Sequence, residues 1–262
     1  MTDLKLSACV EMLFTEADRP FADRVRAAAA AGCDGIEFWS WRDKPLDALA
    51  DAVSETGVAV PMMVVDPFFG LVDAGRLPEF VEAVRASAVA ARRIGCQALV
   101  AVSGNALPGV DAADQNEAIV RCLRAAGPVA GEHGIKLLLE PLNTRVDHPG
   151  TYLSSTSLGL DLVEQVARTE VGLLYDVYHS VVMDEDPAEV LRGRGQLLGH
   201  VHVADTNGRH EPGTGSIDWD RTVAVLLDAG YRGFVGMEYM PTVDSAESFQ
   251  LLRGALSARG RA

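Results

Sequence analysis

The chain has 262 residues, 48% hydrophobic and 23% charged, which is ample apolar material for one large α/β domain and too much chain for a disulfide-stapled mini-protein. Asp and Glu number 37 against 23 Lys and Arg, a formal net charge of −14. So acidic a chain lacks the basic stripe that phosphate backbones demand, which argues against a nucleic-acid partner, and no apolar run approaches the ~18 residues of a membrane span.

In chain order, short apolar runs alternate with amphipathic stretches. Strands are expected at Leu6–Val10, Gly35–Trp39, Val58–Val65, Ala98–Val102, Lys136–Leu142, Val171–Asp176, Gly199–Ala204 and Phe234–Tyr239. Helices are expected at Phe21–Ala31, Leu46–Thr56, Pro78–Ile94, Gln115–His133, Thr156–Ala167, Pro187–Arg192, Trp219–Ala229 and Ala246–Ala258. Gly32, Gly57, Gly95, Gly134 and Gly230 stand where left-handed helix stops belong, and Ser154-Ser155 and Asp218-Trp219-Asp220 carry capping residues. Eight strand–helix pairs in about 260 residues is the arithmetic of a single (β/α)8 TIM barrel spanning residues 1–262. A doubly wound sheet is disfavoured, because no G-x-G-x-x-G follows the first strand.

The first six residues show no basic segment followed by an apolar run, so no signal peptide is expected. Cys9, Cys33, Cys96 and Cys122 lie far apart without C-x-x-C spacing and read as small buried residues of a reducing compartment. A soluble, cytoplasmic protein is expected, with homo-oligomerisation left open. The final residues, Ser257 to Ala262, read as a frayed tail.

In a barrel the active site lies at the carboxyl ends of the strands, so the polar residues that terminate apolar runs are the informative ones. Leu137-Leu138-Leu139 runs into Glu140, Leu173-Leu174-Tyr175 into Asp176, and Val235-Gly236-Met237 into Glu238; His202 lies near the end of Gly199–Ala204. Each is separated from the next by about one βα unit. Four consecutive strands therefore deliver Glu, Asp, His and Glu to one rim. Carboxylates crowded in a partly dry cavity repel unless a cation neutralises them. One divalent metal ion resolves the conflict, Mn²⁺ or Mg²⁺ by the oxygen-rich ligation, with Co²⁺ and Zn²⁺ as alternatives. His200 shares a strand face with His202 but lies farther from the active end, so it is expected to pack or to support rather than to ligate.

His179 is expected on the loop leaving the Asp176 strand, in reach of a substrate oxygen. Arg209 is expected beside the metal, where its planar fork grips a carboxylate or two hydroxyls. The glycine-rich stretch 205–215 lacks the phosphate-loop pattern and reads as mobile cover over a substrate. Met12, Phe14, Trp39, Trp41, Phe68 and Phe69 are candidate pocket walls.

E-P-L-N at 140–143, Y-D-V-Y-H at 175–179, G-H-V-H-V-A-D at 199–205, G-R-H-E-P-G-T-G at 208–215 and G-M-E-Y at 236–239 together resemble the hydroxypyruvate isomerase family of xylose-isomerase-like TIM barrels. The opening Met12 to Glu16 and the strand Gly35-Ile36-Glu37-Phe38 are similar too, so the likeness runs through most of the chain in order. The resemblance implies that Glu140, Asp176, His202 and Glu238 bind the metal, that Glu140 and Glu238 are the acid/base pair, and that His179 and Arg209 contact substrate. It implies interconversion of hydroxypyruvate and tartronate semialdehyde, or action on a close 2-oxo-tetronate, by enediolate proton transfer without a redox cofactor. Two positions depart from that branch: His202 stands where a Gln is frequent and where sugar epimerases carry His, and Ser216 stands where an acidic residue is frequent. A ketose 3-epimerase or sugar isomerase using the same metal site is therefore the alternative, and either way the partner is a small hydroxy-oxo acid or sugar. A nuclease on this barrel would need more strand-end histidines and a basic face.

Overall fold

The computed structural model describes residues 4–259, with side chains to residue 254; residues 1–3, the start of the segment read for a signal peptide, and 260–262, the end of the expected tail, lie outside the described residues. Eight parallel strands form one sheet: β1 (Lys5–Cys9), β2 (Gly35–Glu37), β3 (Val60–Val64), β4 (Cys96–Val102), β5 (Lys136–Glu140), β6 (Val171–Asp176), β7 (Leu198–Val203) and β8 (Phe234–Met237). The hydrogen-bonded order is β2-β1-β8-β7-β6-β5-β4-β3. Isolated parallel bridges Gly35↔Ala59 and Phe38↔Met63 bring the two ends of that sheet together, so the strands form a nearly closed TIM barrel.

Around it run α1 (Phe21–Ala30), α2 (Leu46–Thr56), α3 (Leu77–Arg93), α4 (Ala112–Gly131), α5 (Thr156–Val166), α6 (Val177–Val182), α7 (Pro187–Val190), α8 (Thr206–Arg209), α9 (Trp219–Asp228) and α10 (Ser245–Arg259). The terminators act as expected: Gly57 ends α2 at φ 72°, a conformation a β-carbon resists, and donates its N–H to Val53 O. Ser155 Oγ caps α5 through Leu158 N, and Asp218 caps α9 through Arg221 N. Helix α4 begins three residues before the expected Gln115, after Asp111, and β4 begins two residues early at Cys96. Helix α10 continues through Ser257 to Arg259, the first half of the segment expected to fray. No helix among the described residues is long and apolar enough to cross a membrane.

The main core lies between the sheet and its helices, built from residues such as Leu49, Phe80, Ile119, Leu160 and Phe249. The barrel interior is divided. Met62, Ala98, Val100, Leu138 and Leu174 make an apolar half. Ser7, Glu37, His200 and His202 make a polar half, all buried. Burying ionisable groups so completely is costly unless each finds a partner, so the polar half is where chemistry is to be sought.

Candidate active site

Side chains alternate along a strand, so Leu138 with Glu140, Leu174 with Asp176, and His200 with His202 fall on the same interior face. Pairing of Asp176 with His202 and of His202 with Gly236 then aligns the ends of β6, β7 and β8. The expected quartet is brought together: Glu140, Asp176, His202 and Glu238 offer ligand atoms all within 4.8 Å of one another. None is more than 8% exposed. His202 Nδ1 lies 3.4 Å from Glu238 Oε2 and 3.7 Å from Glu140 Oε1.

The two glutamates of the cluster are driven in opposite directions. Burial, reinforced by the charges of Glu238 and Asp176, pushes Glu140 up to about 7 against the pull of His202. Glu238 is also buried, yet the cations of His202 and Arg209 and a hydrogen bond from Trp39 hold it well below the usual carboxylate range. Despite its burial, His202 is raised well above an ordinary imidazole by Glu238 and Glu37. Asp176 Oδ2 and His202 Nδ1 are buried polar atoms with no hydrogen-bond partner. Oxygen and imidazole donors left unsatisfied, and converging on one point, fit a divalent cation.

His179 is not on a loop. Asp176 ends β6 and at once caps α6, accepting the His179 N–H at 3.1 Å, so the histidine sits in the first turn of a helix. The backbone N–H of Asn143 (3.3 Å) and its side-chain Nδ2 (2.7 Å) both face His179 Nδ1. A nitrogen that accepts leaves the ring proton on the other one, Nε2, which points towards Asp176 Oδ2 at 3.6 Å.

Arg209 sits beside the quartet on a strained turn in which Asn207, Gly208 and Arg209 all have positive φ. Its Nη2 lies 2.5 Å from Glu238 Oε2 and 3.7 Å from Asp176 Oδ2, and its guanidinium covers the Tyr178 ring at 5.3 Å. The stretch expected to be mobile cover is anchored. Asp205 accepts from Thr206 N and Ile217 N through one oxygen and from Gly213 N and Trp219 Nε1 through the other. Glu211 ties the same stretch to Thr242, beyond β8.

Of the candidate wall residues, Trp39 reaches the site, donating Nε1–H to Glu238 Oε1 at 2.8 Å. Trp41 turns away to Ser87 on α3, Phe14 is buried in the core, and Phe69 packs under the Arg76 guanidinium. All four cysteines are free and buried.

Sequence reasoning missed Glu37 as a site residue. It is fully buried at the end of β2, with Oε2 2.7 Å from His200 Nε2 and 3.3 Å from His202 Nε2. The available signal was a lone carboxylate inside an apolar run, on a strand too short to show alternation.

The profile of the xylose isomerase-like TIM barrel family matches residues 25–255. A Streptomyces coelicolor relative, provisionally named a hydroxypyruvate isomerase, is 36% identical over 98% of this chain and 99% of its own. The hydroxypyruvate isomerase of Escherichia coli is 30% identical over 91% of this chain and 94% of its own. The 2-oxo-tetronate isomerase of Pectobacterium atrosepticum is 28% identical over 90% and 92%. Among solved structures, an AP endonuclease, family 2, from Brucella melitensis superposes with TM-score 0.87 at 28% identity, covering 96% of this chain and 98% of that one. A zinc-bound IOLI protein superposes with TM-score 0.82 at 20% identity, covering 98% of each chain, a likeness of fold. The chain belongs to the xylose isomerase-like TIM barrel family and, within it, to the hydroxypyruvate isomerases: it is an isomerase.

Proposed function

We propose that the protein is a divalent-metal-dependent isomerase interconverting hydroxypyruvate and tartronate semialdehyde, or a close 2-oxo-tetronate pair, through an enediolate. The observation that carries this reading is the buried quartet, with Asp176 Oδ2 and His202 Nδ1 unsatisfied, lying directly beside the Arg209 guanidinium. Glu140, Asp176, His202 and Glu238 would hold the ion, Mn²⁺ or Mg²⁺ by donor type. A bound divalent cation supplies Lewis-acid polarisation of a carbonyl and its neighbouring hydroxyl.

The protein's own groups do the rest. One of the two glutamates removes a proton from the hydroxyl-bearing carbon, and a proton returns to the former carbonyl carbon. The hydroxyl proton passes to the neighbouring oxygen, so the exchange balances with no oxidant or reductant. Glu140 and Glu238 end strands three apart in the ring and reach the site from different sides. Arg209 pairs with the substrate carboxylate, and the Nε2–H of His179 donates to a substrate oxygen. Four buried free thiols fit a reducing, cytoplasmic setting.

The test is proton NMR of the Mg²⁺- or Zn²⁺-loaded protein in D2O with hydroxypyruvate, beside 2-oxo-tetronates and a panel of ketoses, each repeated with EDTA. EDTA-sensitive conversion of an oxo-acid, with deuterium entering at carbon, is expected. Conversion of ketoses alone would replace this reading with the epimerase.

A further inference from the structure

Outside the quartet, the most unusual group in the molecule is Glu37. It is a carboxylate with no exposed surface, reaching from β2 beneath β8 to β7. Space for it exists because residue 236 is glycine: a β-carbon there would stand 1.9 Å from Glu37 Oε1 and 2.7 Å from His202 Cδ2. Both carboxylate oxygens are accounted for. Oε1 accepts from Ser7 Oγ at 3.2 Å, and Oε2 faces His200 Nε2 at 2.7 Å and His202 Nε2 at 3.3 Å. The two imidazoles meet edge to face, ring centroids 5.0 Å apart.

His202 is thus bound on two sides with opposite chemistry. Its Nδ1 looks into the quartet and has no hydrogen-bond partner, while its Nε2 lies against Glu37. An imidazole that ligates a cation through one nitrogen keeps its single ring proton on the other, here the nitrogen facing Glu37. A ligating histidine held in this way has its ring orientation and tautomer fixed and its basicity raised by the supporting carboxylate.

We infer that Glu37 is a positioning residue for the metal centre: it holds the proton of His202 on Nε2, so that the Nδ1 lone pair is fixed on the ion, while His200 and Ser7 hold Glu37. The inference rests on the quartet being a metal site. It assigns the Glu37–His200–His202 group a supporting role, although the group's own ligand atoms lie within 4.8 Å of one another and could themselves hold an ion. The geometry favours support: His202 Nε2 shares a hydrogen bond with Glu37 Oε2 at 3.3 Å, and His200 Nε2 lies 2.7 Å from the same oxygen as an ion-pair neighbour.

Two measurements test it. In the zinc-loaded wild-type protein, long-range ¹H–¹⁵N spectra of the histidine rings should show His202 protonated at Nε2, its signals distinguished from those of His200 by the His200→Gln variant. A proton on Nδ1 of His202 overturns the proposal without recourse to any Glu37 variant. In parallel, Mn²⁺ binding is followed by the spin-resonance signal of the free ion, for wild type and for Glu37→Gln, with thermal unfolding as a folding control. Wild type should bind one ion per chain, and Glu37→Gln should bind it roughly 10–100-fold more weakly at unchanged stoichiometry. Equal affinity in the two proteins overturns the proposal. So does a wild-type stoichiometry of two that falls to one in Glu37→Gln, since the triad would then be an ion site itself. A wild type that binds no divalent ion overturns the metal reading of the quartet first, and is seen before any variant is made.

Discussion

Residue by residue, the quartet was legible because each acid ends an apolar run, and a polar side chain there has nowhere to go but the rim of the barrel. Glu140→Gln and Glu238→Gln each remove one carboxylate charge from the quartet, so turnover of hydroxypyruvate should fall by roughly 10²–10⁴-fold or more in either. Steady-state assays at saturating metal measure this, and near-normal turnover in one variant would remove that glutamate from the mechanism. Arg209→Lys keeps the charge but loses the fork, so kcat/KM for the oxo-acid should drop about 10–100-fold, corresponding to one lost charge-assisted bond. An unchanged value would mean that the substrate carboxylate sits elsewhere. Glu37 was not legible, because the place it occupies depends on an absence, the missing side chain of Gly236, in a strand nearly 200 residues away. His179 was legible as a residue but not as a helical one, since the capping of α6 by Asp176 overrides the loop that usually follows a strand.

At the scale of elements, apolar runs and glycine stops placed all eight strands and most helices within a few residues. The short pieces α6 and α8 were not expected, because they are only six and four residues long and begin at aspartate caps rather than showing a periodic apolar face. The stretch after β7 depends most on one group. Asp205 is fully buried, and although burial raises its pKa, hydrogen bonds from Trp219, Gly213, Ile217 and Gly215 hold it below the ordinary value of 3.8. A carboxyl with a depressed value stabilises the fold above its unfolded pKa, and this contribution is lost as pH falls through the folded one. Asp205→Asn should therefore cost about 2–3 kcal/mol at pH 7, the worth of a hydrogen bond to a charged group. In urea titrations the gap from wild type should hold down to about pH 4 and shrink below it. A gap independent of pH across that range would exclude the carboxylate charge as its cause.

For the whole molecule, the acidic cluster is a liability that a bound cation would convert into an anchor. An ion at 100 times its dissociation constant stabilises the folded state by about 2.7 kcal/mol, which for a chain of this size corresponds to roughly 5–10 °C in Tm. Scanning calorimetry with Mg²⁺ or Mn²⁺ should show that rise in wild type and its loss in Asp176→Asn; an equal rise in both would place the ion elsewhere. The ring of strands also has one soft link. Between β2 and β3 only isolated bridges and a few bonds, Ile36 N to Ala59 O and Val64 N to Trp39 O among them, complete the circle. A hoop with a single weak joint gives way there first, so the amides of Ile36 and Val64 should exchange with deuterium sooner than those inside β5 and β6. Glu37 and Trp39 stand on that joint, so the stave proposed to support the metal site would also be the one most readily sprung.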